Sequence, residues 1–347
     1  MDVRRKGPSA GNHRGTFCVD PDPKSFSLRI HLMRGFHRFP WLTDPSVRFV
    51  WTGMLAAWVG SLLQAAEVTS TNAGPVTRIE VSSISRDKPL VNSLGMTFVP
   101  ISNSPALFSI WETRVRDFRA FVEATGYDAT GKMYSIGPDG WKMRGMTWRN
   151  PGFPQGTDHP VCGVSYLDAV RFCDWLTQKE RAAGRLGTRD RFRLPTDAEW
   201  SLAVGDTLYP WGPDWPPPHR AGNYGDAESD LNPKIPGYRD GFSRTSPVGS
   251  FTPSRFGIYD LGGNVWEWCD TYYRKEMNSP AARERFPGFE EDGGGGKFRV
   301  LRGGSWDRVT PLFLESACRN NDSPEGRGDF LGFRCVLEPG AKSPVSR

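Results

Sequence analysis

The stretch 258-IYDLGGNVWEWCD-270 carries two carboxylates, Asp260 and Glu267, around a pair of glycines and an asparagine. Large aromatic residues lie on both sides of the acids. Glycine allows the backbone to turn its carbonyl groups inward at little steric cost. Two interpretations follow: a hydrophobic core that happens to contain acids, or a loop folded around a metal ion.

The composition indicates a folded, loop-rich protein rather than a disordered one. The 347 residues are enough for one large domain or two smaller ones. Glycine and proline make up about a fifth of them, which is above the usual share. The 13 Trp and 21 Phe offer enough apolar surface to offset the entropy lost on folding. The net charge of +5 is mild and the basic residues are dispersed, so nucleic acid is not expected as a partner.

The N-terminal region is typical of an export signal. The run 49-FVWTGMLAAWVGSLL-63 is apolar and uncharged, follows basic residues and precedes a small-residue segment, with cleavage expected near Ala65 or Ala66. Met33 is an alternative start, and an uncleaved membrane anchor is the alternative interpretation of the run. We expect a leader and signal over 1–66, a linker over 67–90, one domain over 91–338 and a flexible tail over 339–347. The protein is then exported to a periplasmic or extracellular location, where disulfides form.

Several local patterns predict regular elements inside the domain. Apolar alternation in 94-LGMTFVPI-101 predicts a strand. Helical spacing of apolar residues predicts a helix that Gly126 ends. Capping boxes at 165–168 and 196–199 predict the starts of two further helices. Most of the remaining sequence reads as turns and short strands.

Six motifs in a fixed order resemble the formylglycine-generating enzymes, also called sulfatase-modifying factors. The resemblance runs from about Leu94 to Val336, and its motifs are HPVCGVSYLDAVRFCDWL, RLPTDAEW, YPWG, FGIYDLGGNVWEWCD, RVLRGGSW and LGFRC. It implies a compact α+β domain with little regular secondary structure, related to the C-type lectin fold.

The resemblance also implies two structural calcium ions. The first would be held by the side chains of Asn223 and Asp240 and the carbonyls of Tyr224 and Phe242. The second would be held by the side chains of Asp260 and Glu267 and the carbonyls of Gly263 and Val265. Calcium takes six to eight oxygens of these kinds. The alternative is that these acids cap helices or form salt bridges.

Among the six cysteines, Cys173 and Cys335 match family positions that form a structural disulfide. The alternative is two buried free thiols. Cys318 matches another half-cystine of the family, but its partner position here is Val204. Cys318 is then free, or paired with Cys269 or Cys162.

The copper chemistry of the family requires two thiolates shortly after the GGS turn. Counted from Ser305, those positions fall on Arg308 and Phe313, and no cysteine lies between Cys269 and Cys318. Neither side chain can bind Cu(I) as a thiolate does. We therefore expect no copper and no oxidation of cysteine to formylglycine. Two residues are weak catalytic candidates. Ser305 would act as a polar group in catalysis, and Arg308 would bind an anionic group. Their structural alternatives are a tight turn and a salt bridge.

Other catalytic chemistries find little support in the sequence. Only His159 and His219 follow the signal, and they form no local pair for an iron site. Motifs for nucleotide binding, serine hydrolysis and zinc proteolysis are absent from the sequence.

Three functions are compatible with these observations. The first is an exported non-oxidase that binds a peptide, glycan or protein in an aromatic groove, for which the candidates are Trp141, Trp148, Trp211, Trp215 and Trp306. The alternative for each Trp is core packing, which we expect for most of them. The second is a divergent formylglycine-generating or related oxidoreductase that acts on sulfatase-like proteins. The third is a purely structural module.

Overall fold

The computed structural model describes residues 83–137, 140–229, 233–278 and 297–340, all within the unit formed by residues 76–347. The predicted signal, the possible start at Met33 and most of the predicted linker lie outside the described residues. The part of the chain that is described contains three α-helices and eleven short strands. The helices are α1 (Val115–Thr125), α2 (Tyr166–Ala182) and α3 (Asp197–Val204). The strands are β1 (Leu90–Val91), β2 (Thr97–Pro100), β3 (Leu107–Ser109), β4 (Met133–Gly137), β5 (Gly140–Arg144), β6 (Arg191–Arg193), β7 (Trp266–Tyr272), β8 (Arg299–Arg302), β9 (Asn320–Asp322), β10 (Leu331–Gly332) and β11 (Val336–Glu338).

The C-terminal segment contributes to two of the three sheets. The first sheet has the order β1-β2-β3-β11-β6, the second has the order β10-β7-β8-β9, and β4 pairs with β5 in a hairpin. Val336 of β11 lies opposite Phe108 of β3 and Arg193 of β6. In the second sheet, Glu267 of β7 lies between Gly332 of β10 and Arg302 of β8. Residues 331–338 therefore connect the two sheets.

The predicted helix boundaries are confirmed. Helix α1 ends at Gly126, which has a left-handed φ of 68° that few other residues adopt without strain. At the start of α2, the Asp168 amide donates to the Ser165 hydroxyl at 3.2 Å. At the start of α3, the Glu199 amide donates to the Thr196 hydroxyl at 3.2 Å. Apolar spacing and the stop at Gly126 located α1, and capping boxes located the starts of α2 and α3.

An aromatic core fixes α1 and α2 against the last strands. Phe118 of α1 stacks on Phe172 of α2 at 6.1 Å between ring centroids. Phe172 meets Phe333 edge to face at 5.5 Å, and Phe118 meets Trp148 in the same way at 5.1 Å. Each such pair contributes about 0.5–1.5 kcal/mol beyond the area it buries.

Both ends of the domain reach slightly beyond the predicted boundaries. Leu90, assigned to the linker by its sequence, is buried and pairs with Phe98 in the first sheet. Gly340, assigned to the tail, donates its amide to the Asp190 carboxylate at 2.8 Å. Residues 341–347 of the predicted tail lie outside the described residues.

A fully buried ion pair joins the two sheets to the loop within residues 258–270. The Arg334 guanidinium and the Glu267 carboxylate are each 0% exposed, with nitrogen–oxygen distances of 2.7 and 2.5 Å. The Trp200 indole also donates to Glu267, at 3.0 Å. Arg334 donates further to the carbonyls of Ser109 and Asp260, at 3.3 and 3.1 Å. One guanidinium thus satisfies acceptors from three segments of the chain.

We expect Arg334→Met to lower the free energy of unfolding by about 3–5 kcal/mol, because it leaves the Glu267 charge buried without a partner. Urea denaturation in the presence of a calcium chelator measures the loss. The matched control is Arg191→Met, which removes an exposed ion pair to Glu338 and should cost about 1 kcal/mol or less.

Adding Glu267→Gln to Arg334→Met should recover part of the loss, because no uncompensated charge then remains. If Arg334→Met and Arg191→Met cost the same, the buried pair does not organise the fold.

Candidate functional site

Arg308 and Phe313, the two positions expected to correspond to the copper thiolates of the family, lie against each other. The guanidinium carbon of Arg308 lies 5.0 Å from the centroid of the Phe313 ring and 5.8 Å from that of Phe330. Arg308 also forms a salt bridge with Asp307, with 3.3 Å between nitrogen and oxygen. The salt bridge that the sequence analysis considered as the alternative role for Arg308 is therefore present. At these positions a guanidinium is therefore stacked on aromatic rings.

Ser305 belongs to the tight turn that precedes this pair. Gly303 and Gly304, just before it, have left-handed φ angles of 97° and 79°. Ser305 is fully buried, and its hydroxyl donates to Asp307 at 2.5 Å. Its carbonyl accepts from the Arg308 amide at 3.0 Å. Ser305 thus orients the carboxylate of Asp307.

A second buried carboxyl, that of Asp329, lies close to Asp307. The Asp329 residue is 1% exposed; one carboxyl oxygen accepts from the Ile136 amide at 3.3 Å, and the other has no hydrogen-bond partner among the described residues. Burial, and next the charge of Asp307, raise the pKa of Asp329 to about 8, although the Arg244 charge opposes them. Sequence reasoning missed both acids. The signal available for Asp307 was its place between Ser305 and Arg308, and for Asp329 its place beside the LGFRC motif.

The surface over these acids is aromatic and cationic. Trp141 meets Phe330 edge to face at 4.8 Å. Trp306 is 1% exposed and donates its indole N–H to the Asp329 carbonyl at 3.1 Å. Arg244 lies over the Trp306 ring at 4.4 Å. Trp141, Phe330 and Arg308 are each partly exposed on this surface.

The five tryptophans proposed for one groove are not all part of it. Trp148 and Trp306 are each 1% exposed and act as core. Trp211 stacks on Tyr209 at 4.7 Å and lies near Trp215 at 6.5 Å, in a separate cluster. Of the five, Trp141 is the partly exposed one beside Phe330. Core packing, expected for most of the five, is thus observed for Trp148 and Trp306, and the five do not line a single groove.

The first predicted calcium set has features that fit a cation. The side-chain oxygen of Asn223 is buried and has no hydrogen-bond partner among the described residues. The Asp240 carboxylate accepts from the amides of Tyr224 and Phe242 at 2.8 and 2.9 Å. Burial is the main cause that raises the pKa of Asp240 to about 7, and the neighbouring Asp226 adds to it. A calcium ion would supply the positive charge that these oxygens need.

The second predicted set fits only in part. Glu267 already has Arg334 and Trp200 as partners. One oxygen of Asp260 accepts from the Gly249 amide at 2.8 Å, while the other is buried and lacks a partner among the described residues. Burial raises the pKa of Asp260 to about 6. Asp260 therefore has room for a cation, whereas Glu267 is already neutralised.

Neither calcium set has a cluster of three side chains from His, Cys, Asp and Glu, and the described residues contain no such cluster elsewhere. Both sets would depend on amide and carbonyl oxygens, including those of Gly263 and Val265, as the resemblance implies. The calcium assignment stays a prediction.

The five cysteines in the described residues are all buried as thiols. The sulphurs of Cys173 in α2 and Cys335 just before β11 lie 3.6 Å apart, and the disulfide stays a prediction. Burial raises the pKa of Cys318 to about 12, and it raises the pKa of Cys162 and Cys269 as well. These thiols are not poised to ionise.

Two histidines follow the predicted signal, and they differ in their surroundings. His159 contacts the Thr245 hydroxyl through its Nδ1 at 3.0 Å, and His219 is exposed. Within the described ranges, no helix has the length and apolar character needed to cross a membrane.

Comparison with known proteins identifies related chains. A formylglycine-generating enzyme of Thermomonospora curvata is 31% identical over 278 residues, which are 68% of this chain and 83% of that enzyme. An inactive C-alpha-formylglycine-generating enzyme 2 of Bos taurus is 31% identical over 281 residues, which are 69% of this chain and 79% of that protein. The solved structure of PvdO from Pseudomonas aeruginosa is 28% identical, with a TM-score of 0.46 and coverage of 67% of this chain and 80% of that one.

Residues 100–339 match the family model described as a sulfatase-modifying factor enzyme 1-like domain. The α+β, loop-rich, C-type-lectin-like fold expected from the motifs is confirmed, with short curled sheets and few helices. With that fold and six motifs in order, the chain belongs to the formylglycine-generating enzyme family of sulfatase-modifying factors.

Proposed function

We propose that this chain is an exported, calcium-braced member of the family that binds a ligand at the former copper position and does not oxidise cysteine to formylglycine. The observation that carries the proposal is the packing of Arg308 on Phe313, 5.0 Å from guanidinium carbon to ring centroid. A permanent cation at this point repels Cu(I), and neither side chain is a soft ligand.

The nearby thiol does not restore a copper site. Cys318 is 8% exposed, and burial raises its pKa to about 12, so that it stays protonated at neutral pH. Copper binds the thiolate rather than the thiol. The similarity to an inactive mammalian relative is in keeping with this proposal.

The ligand would be a peptide, glycan or protein that meets a surface made of Trp141, Phe330 and Arg308. Aromatic residues and arginine carry much of the binding energy at protein interfaces. Export follows from the apolar N-terminal run, and it would place the ligand outside the cytoplasm.

A second candidate function is modification of sulfatase-like proteins by a divergent oxidoreductase. It is favoured by relatives that are named formylglycine-generating enzymes and cover most of the domain. The same experiment separates it from the first.

We expect the purified protein to bind no Cu(I) tightly and to produce no aldehyde from a cysteine-containing sulfatase peptide in the presence of copper and oxygen. The double variant Arg308→Cys/Phe313→Cys should gain tight Cu(I) binding, because it places two soft ligands at the family positions. Competition with a chromophoric Cu(I) chelator measures the affinity, and mass spectrometry measures the aldehyde.

The matched control is the single variant Arg308→Cys, which supplies one thiol and should gain far less affinity. Tight copper binding together with turnover by the unmodified protein would establish the second candidate function and end the first.

Calcium should raise the melting temperature of the protein, and a chelator should reverse the rise. An ion at 100 times its dissociation constant stabilises the folded state by about 2.7 kcal/mol. Asp240→Asn should remove most of the response, because it deletes the charge of the first set. The control Glu123→Gln changes an exposed acid of α1 and should respond like the unmodified protein.

Scanning calorimetry with and without chelator is the measurement. An unchanged melting temperature at millimolar calcium would remove calcium from the proposal without affecting the copper argument.

A further inference from the structure

A cavity of about 270 Å³ lies between the segments 204–221 and 252–262. Its volume is close to the lower end of the range for small-molecule sites, about 300–1,000 Å³. The lining includes none of the three residues that form the surface of the proposed function, Trp141, Phe330 and Arg308. The cavity is therefore a second place with room for a compact ligand.

The cavity is apolar inside and cationic at its mouth. Ile258 and Leu261, which are 1% and 4% exposed, belong to the inner wall. Arg220 and Arg255 are exposed and line the opening. The one acid of the lining, Asp260, is 6% exposed and therefore lies toward the buried end. A ligand that enters the cavity meets positive charge first and apolar surface further in.

Neither guanidinium at the mouth has a carboxylate partner among the described residues. The Nη2 atom of Arg220 donates to the Ser250 carbonyl at 2.7 Å, which orients the group but leaves its charge unpaired. The guanidinium carbon of Arg255 lies 4.7 Å from the centroid of the Phe256 ring. Two unpaired cations at one opening repel each other and attract an anion.

The backbone at this cavity is held in a conformation that favours glycine. Arg220 has a left-handed φ of 65°, and Asp260 at the buried end has one of 55°. These are two of the four residues other than glycine with positive φ in the described part of the chain. Such strained positions cluster at ligand-binding sites, and a glycine would adopt the same φ without strain. The arginine side chain at position 220 therefore calls for a role that outweighs the strain, and binding of an anion supplies one.

We propose that this cavity binds a small organic monoanion, a carboxylate or a sulfate ester on a body of about one six-membered ring. Arg220 and Arg255 hold the anionic group at the mouth, because the planar fork of a guanidinium matches two oxygens of such a group. Ile258 and Leu261 contact the apolar body. The acid at the buried end, Asp260, disfavours a second negative charge there. The inference goes beyond the proposed function, since it assigns a second ligand at a separate cavity.

The test is a titration of the purified protein with phenylacetate, phenyl sulfate and the neutral analogue phenylacetamide. Saturation-transfer NMR in a low-salt buffer with a metal chelator measures each Kd. We expect saturable binding of at least one anion and binding of phenylacetamide that is weaker by about 10-fold or more, because the amide lacks the charge that the guanidinium groups pair with. Binding of phenylacetate alone identifies a carboxylate ligand, and binding of phenyl sulfate alone identifies a sulfate ester.

Two variants locate the anion. Arg220→Gln and Arg255→Gln should each weaken anion binding by about 10-fold or more, the usual worth of a hydrogen bond to a charged group. The matched control is Arg116→Gln, which alters an exposed arginine that has a salt-bridge partner in Asp158 at 2.8 Å, and it should retain the affinity. Loss of anion affinity in Arg308→Met, with full affinity in Arg220→Gln and Arg255→Gln, would place the anion on the other surface and overturn the inference.

A third variant separates binding from folding. Arg220→Gly removes the guanidinium and its bond to Ser250, but it also relieves the strain of the left-handed φ. Because these effects oppose each other, the melting temperature should stay within about 4 °C of that of the unmodified protein, while anion affinity falls as in Arg220→Gln.

Three results would each overturn the inference. They are no saturable binding of either anion by the unmodified protein, equal binding of phenylacetamide, and unchanged affinity in folded Arg220→Gln and Arg255→Gln variants. The titration contains neither copper nor a cysteine peptide and it reports on a different cavity, so its failure leaves the proposed function unaffected.

Discussion

The buried pair of Arg334 and Glu267 constrains everything else in this fold. Neither charge reaches water, so each must be satisfied by atoms of the protein. Arg334 sits between β10 and β11, and Glu267 lies in β7, so the pair holds a strand of one sheet to the segment that enters the other. The Arg334 guanidinium also donates to the carbonyls of Ser109 and Asp260. These bonds fix the turn at Asp260 as well. If this pair moved, the loops above it would lose their common support.

That support explains how a chain with so little regular structure can present a defined site. The loop after β8 leaves the second sheet at Arg302, turns at two glycines with left-handed φ, and places Ser305, Asp307 and Arg308 within hydrogen-bond reach of one another. Asp329 comes from the loop before β10, which pairs with the same sheet. The two acids lie in the same region because β8 and β10 both flank β7. Their positions follow from the sheet rather than from the loops themselves.

Local chemistry in the sequence was sufficient for some of these features. Capping boxes at Ser165 and Thr196 predicted the helices, since a cap and its partner lie three residues apart. The sequence was also sufficient to predict Arg308 and Phe313 at the two expected thiolate positions, because both positions are counted from the turn at Ser305. The proximity of Asp307 to Asp329, by contrast, brings together residues 22 positions apart through sheet order, and the sequence contains no periodicity that specifies it. The same holds for Arg334 and Glu267.

Guanidinium groups partner carboxylates at two places in this domain, with different consequences. Arg308 pairs with Asp307, whereas one oxygen of the nearby Asp329 has no hydrogen-bond partner among the described residues. In the second calcium set, Arg334 neutralises Glu267 and leaves one Asp260 oxygen unsatisfied. A guanidinium is a fixed charge with directional donors, whereas a metal ion gathers many oxygens at once. In both places the guanidinium satisfies one carboxylate and leaves an oxygen of a neighbouring carboxyl without a hydrogen-bond partner among the described residues.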